Sequence, residues 1–157
     1  MADFSIKVSM QTVMDHFAKS GRFGGGVQIG EYANPPTAQG QAGMAMAVMF
    51  EGASVILMAA GGETRERHRV VARVYRAANA EPKADVETDI AFATSLIMGD
   101  IIGDYTLGGE ILEVDIAGIY GEGLTATAGH LEVGGVMYRI VDITLSLLVD
   151  ASATAAP

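Results

Sequence analysis

Near the end of the chain the fourteen residues VMYRIVDITLSLLV, Val136 to Val149, set Arg139, Val141, Ile143, Leu145, Leu147 and Val149 against Tyr138, Ile140, Asp142, Thr144 and Ser146. A two-residue period puts the two sets on opposite sides of an extended backbone, so this stretch is a long strand with one strongly apolar face. A strand needs neighbours to satisfy its backbone groups, so the rest of the chain has to supply a sheet. ILEVDIAGIY, with Leu112, Val114 and Ile116 opposed to Glu113 and Asp115, is one candidate, and the two are expected to pair around a third strand near His130 to Val136.

Further strands are read earlier in the chain. In MAMAVMF, Met44, Met46, Val48 and Phe50 lie on one side and Ala45, Ala47 and Met49 on the other, which suits a strand covered on both faces. A second apolar run, Val55 to Met58, follows Gly52, and a short strand with Val27 and Ile29 precedes the loop EYANPP. The stretch TRERHRVVARVYR gathers five of the ten Lys and Arg residues between Arg65 and Arg76. Period two places Arg65, Arg67, Arg69 and Arg73 on one face and His68, Val70, Ala72 and Val74 on the other. A helix is the competing reading because alanines follow, but three valines and a tyrosine favour a strand.

Two helices complete the pattern. Met10, Val13, Met14 and Phe17 recur at helical spacing over Ser9 to Lys19, with Ser9 as N-cap and Gly21 as terminator. DVETDIAFATSLIMGDIIGDY starts with Asp85 as N-cap, and Val86, Ile90, Ala93, Ile97 and Ile101 form one stripe. The chain reads as one domain over residues 1–150, followed by the patternless ASATAAP, 151–157, as a loose tail.

Composition narrows the function. Cysteine is absent, which removes thiolate catalysis, disulfides and cysteine-based metal sites. Without a signal-type N-terminus or a bilayer-length apolar run, the chain is expected to be soluble, with no membrane association. Hydrophobic residues make up 50% and charged residues 18%, an apolar surplus that self-association would cover. The net charge of −9 repels phosphate, which argues against duplex binding by the basic stretch. Residues 1–76 carry +2 and residues 77–157 carry −11, an asymmetry suited to head-to-tail contacts between copies, or else simply an acidic solvated face.

No catalytic constellation emerges. GGG at Gly24 lacks the Lys-Ser/Thr of a phosphate loop, GIYGEG at Gly118 reads as a turn, and no serine sits in a nucleophile elbow. His16, His68 and His130 lack paired ligand spacing and read as surface or helix-face residues. Glu113 with Asp115, and Asp100 with Asp104, are two carboxylate pairs that could hold a cation, though solvated faces explain both. Neither an enzymatic activity, a metal nor a cofactor is expected.

The order of elements carries more than any one residue. An N-terminal amphipathic helix, a glycine-led strand ending in EYANPP, the strand RVVARVY, a helix beginning DVETDIAFATSLI and closing strands through YRIVDITLSLLV resemble, from about Ser9 to Val149, the tail terminator proteins of long-tailed, siphovirus-type bacteriophages. That resemblance implies an α+β fold, with a mixed, mostly antiparallel sheet flanked by two main helices. It also implies a homohexameric ring that caps the tail tube, ends its polymerisation and forms part of the head–tail joining interface. Partners would be other copies, the tail tube protein and a head–tail connector or stopper protein, with genomic DNA passing through unbound. The place would be the head-proximal end of the virion tail, after assembly in host cytoplasm. Related readings are a head–tail connector or a tube-related protein; a different class is a small non-enzymatic DNA- or ligand-binding domain.

On this reading Arg65, Arg67, Arg69, Arg73 and Tyr75 are protein-interface candidates, and Glu113, Asp115, Asp100 and Asp104 are lumen or inter-subunit acidic candidates. Reversing Arg69 and Arg73 to Glu is then expected to spare the fold while blocking assembly.

Overall fold

The computed structural model describes residues 6–19, 23, 27–30, 44–58, 64–78 and 83–150. Helix α1 (Ile6–Ala18) is followed by strands β1 (Val27–Ile29), β2 (Met44–Met58) and β3 (Thr64–Ala77), helix α2 (Lys83–Gly103), and strands β4 (Glu113–Val114), β5 (Thr125–Val133) and β6 (Val136–Asp150). The sheet order is β1-β2-β3-β6-β4, with β5 also on β6. β1 joins β2 in parallel and every other pair is antiparallel, so the fold is α+β with a mixed, mostly antiparallel sheet.

The period-two reading of β6 and β3 sets the core. Val70, Ala72 and Val74 of β3, Met44, Met46 and Val48 of β2, and Val141, Ile143, Leu145 and Leu147 of β6 fill one face of the sheet. Both helices cover that face. α1 contributes Val13 and Phe17, and α2 contributes Ile90, Ala93, Ile97 and Ile101, the stripe expected from its spacing. Two arginine–carboxylate pairs tie α2 down: Arg76 Nη2 to Asp89 at 3.3 Å, and Arg139 Nε to Glu87 at 2.9 Å.

Several boundaries differ from expectation for identifiable reasons. Met44 to Met58 is one strand, because Gly52 is absorbed in a bulge where the register steps from Phe50 opposite Val70 to Gly52 opposite Arg69. The strand in ILEVDIAGIY shrinks to Glu113–Val114, because Asp115 turns inward to organise the next loop. β4 pairs with β6 directly, not around a third strand; β5 lies further along the same edge of β6. Gly134 (φ 58°) and Gly135 (φ 80°) form the two-residue turn that joins β5 to β6, a geometry that favours glycine. Neither proposed N-cap stands: Ser9 lies inside α1 and Asp85 inside the first turn of α2. Gly21, Gly24 to Gly26, EYANPP and the tail 151–157 lie outside the described residues.

Candidate functional site

The basic strand β3 supplies the candidate site, on the sheet face opposite the helices. Arg73 is 6% exposed, and its guanidinium grips Asp142 across the β3–β6 ladder with two parallel bonds, Nε to Oδ1 at 2.6 Å and Nη2 to Oδ2 at 2.8 Å. The pairing follows from register, since Arg73 and Asp142 are direct cross-strand partners. Tyr75 is buried on the same face, edge-on to Tyr138 with ring centroids 6.2 Å apart, in a small cluster with Ala47 and Ile140.

Further along β3 the partners come from the loop between β4 and β5. Arg69 Nη2 bonds the Glu122 carboxylate, and its Nε lies 3.6 Å from Glu51 of β2. Arg67 Nη2 donates to the Glu122 carbonyl at 3.4 Å, and Ser146 Oγ donates to the same carbonyl at 2.9 Å. A Cβ on Gly121 would sit 2.9 Å from the Arg67 guanidinium carbon, so the bare backbone lets the arginine stack beneath the loop. Arg65, at the outer end, is exposed and makes no ion pair or hydrogen bond among the described residues. It borders a shallow hollow of about 190 Å³ with Ile56, Leu112, Glu113, Tyr120 and Leu148.

The same loop explains Asp115. Its carboxylate, 3% exposed, accepts the backbone N–H groups of Gly118 at 3.1 Å, Ile119 at 2.9 Å and Tyr120 at 2.9 Å. A charged acceptor on three N–H groups fixes a tight turn, an Asx-type use of aspartate. Asp115 and Glu113 therefore do not share a site. Gly123 closes the loop where a side chain would strike the Ile116 carbonyl at 2.5 Å.

Asp100 and Asp104 lie at the end of α2 and in the turn after it. Asp104 is 3.8 Å from His16 Nδ1 and accepts the Gly108 N–H at 3.0 Å. Burial pushes the His16 pKa below its usual value, opposed by the negative charges of Asp104 and Asp100. With Val8, Asp15, Lys19 and Glu110, His16 and Asp104 border an open cleft of about 490 Å³ between α1 and the turn, and Asp100 lies outside its lining. No group of three or more His, Asp or Glu residues that could hold a metal occurs among the described residues.

Two features were not foreseen. Glu122 is the hub of the arginine face; its only signal in the sequence is a carboxylate in a glycine-rich turn. His68 is neither a surface nor a helix-face residue: it is fully buried, with Nδ1 2.6 Å from Ser9 Oγ and Nε2 2.8 Å from Glu66 Oε2. A carboxylate only accepts, so a neutral His68 carries its proton on Nε2 and accepts a hydrogen bond from the Ser9 hydroxyl at Nδ1. This relay has the composition of a hydrolytic triad, but its serine is fully buried, so it acts as a polar rivet between α1 and β3. His68→Ala is expected to cost about 2–4 kcal/mol, as the cavity and the unpaired Ser9 hydroxyl add, and urea unfolding measures it.

The fold and site define a class: an α+β protein built on one long sheet, helices on one face and on the other a row of arginines of which Arg67, Arg69 and Arg73 are bonded within the chain. No family model and no curated protein matches the chain.

Proposed function

We propose that this chain is a virion structural protein, a ring-forming tail terminator that caps the tail tube of a long-tailed phage, ends its polymerisation and contributes to the head–tail joining interface. The observation that supports it most is the order of elements on one sheet. A helix, the short strand β1, the long strand β3, a second helix and the closing strands follow one another in the order on which the resemblance to tail terminators rests. Large apolar side chains left in solvent, Ile119 at 75% and Phe92 at 65% exposed, add surfaces that partner proteins would cover.

The arginine face favours this reading over duplex binding. Arg67, Arg69 and Arg73 already meet Glu122, Glu51 and Asp142, so little cationic surface remains for phosphate. No helix among the described residues is long and apolar enough to cross a membrane. The test is negative-stain microscopy of purified protein mixed with isolated tail tubes and with polymerising tube subunits. Capped ends and arrested growth are expected; bare ends with unchanged growth remove the reading.

A further inference from the structure

Two sheet edges lack a ladder partner among the described residues. β1 pairs with β2 only at Met46 to Val48, so from Met49 to Met58 the outer side of β2 is open. β5 pairs with β6 on one side, and its nine residues are open on the other. Edges of this length are templates for another strand unless they are blunted by lysine, proline or cover. Neither strand contains lysine or proline; β2 beyond Val48 carries only Glu51 as a charge, and β5 carries Glu132 and His130. A bulge can also blunt an edge, yet β2 stays in ladder with β3 through both of its register shifts, which bend the strand without ending it.

We infer that the open edge of β5 in one copy of this chain pairs with the outer half of β2 in the next copy, continuing the sheet from subunit to subunit. This inference rests on the ring reading and names the seam of that ring. Direction permits it: β2, β3, β6 and β5 alternate in sense, so β5 runs opposite to β2 and meets the next copy's β2 antiparallel. The faces also match. Phe50 and Val55 share the helix-covered side of the sheet with Ala126 and Ala128, as the registers through Val70, Glu66, Ile143 and Val141 require. Phe50 is 45% and Val55 59% exposed in the single chain, and the small alanines of β5 leave room for both in a continuous sheet. Contact between two different edges is head-to-tail, the type of contact that closes into a ring.

Because the chain has no cysteine, disulfide trapping reads this seam directly. Single cysteines at Ala126, Ala128 or His130 are each combined with one at Phe50, Ala53 or Val55, and the wild type is sedimented in parallel, alone and with tail tubes. The expected result is a multimeric wild type and, for at least one double variant such as Ala53→Cys with Ala128→Cys, a ladder of covalent multiples on a non-reducing gel. Ala128→Lys, on an exposed position of the edge, is expected to sediment as a monomer with an unchanged melting temperature. A multimeric wild type in which no combination cross-links overturns the seam and leaves the ring reading standing. Dimers from a single-cysteine variant overturn it in favour of twofold edge pairing. A wild type that stays monomeric, free and with tubes, overturns the ring reading and the seam together.

Discussion

Arg73→Glu is expected to destabilise the isolated protein by about 3–5 kcal/mol, because a nearly buried guanidinium held by both oxygens of Asp142 is replaced by a second carboxylate facing the first. For a chain of this size that corresponds to a fall of roughly 6–20 °C in melting temperature, read by circular dichroism. The swap Arg73→Glu with Asp142→Arg restores opposite charges across the ladder and is expected to recover part of the loss. Arg69→Glu is expected to cost less, about 1 kcal/mol, since Arg69 and its partners Glu122 and Glu51 are all substantially solvated. The sequence reading that a double reversal of Arg69 and Arg73 spares the fold is therefore corrected: Arg73 belongs to the sheet, and of the four candidate arginines Arg65 alone makes no ion pair or hydrogen bond among the described residues. A melting temperature for Arg73→Glu within a degree or two of wild type would show that Asp142 is not its structural counterpart.

The second large effect is expected at Asp115. Asp115→Ala strands three N–H groups that now share one buried carboxylate, at a cost of about 3 kcal/mol or more. Asp115→Asn keeps an acceptor oxygen and is expected to fall between the two. The damage should spread in a defined direction, since the loop from Asp115 to Leu124 delivers Glu122 to Arg67, Arg69 and Ser146. Hydrogen exchange should accelerate first at Gly118, Ile119 and Tyr120; equal acceleration across β6 would mean that the loop is not an independent unit.

What the sequence revealed, and what it hid, follows from the range of each cause. α2 was legible because its stripe from Val86 to Ile101 is local and repeats at helical spacing, and β6 because its alternation spans the whole strand. β2 was split in two because Gly52 looks like a break, whereas a ladder already fixed by β3 on both sides absorbs one extra residue. Ser9 has the chemistry of a cap, but a hydrogen bond to His68, 59 residues away, holds it inside the helix. The arginine face was found, yet its counter-charges were not: Glu122 lies 53 residues from Arg69, and Asp142 lies 69 from Arg73. No local pattern encodes such distances.

Those distances bear on how the chain folds as it leaves the ribosome. β3 lies between β2 and β6, and the groups that bond Arg67, Arg69 and Arg73 across its face are supplied partly by segments made some fifty to seventy positions later. A nascent chain that has emerged only as far as Arg76 carries a row of arginines with Asp142 and Glu122 still unsynthesised and one side of β3 without its neighbour. The sheet can close only after β6 appears, so stable structure should be reached only then and nearly all at once. Until then the β2–β3 hairpin exposes apolar residues along both of its strands, and the emerging chain depends on the arrival of the fifteen-residue β6 to escape association with its neighbours.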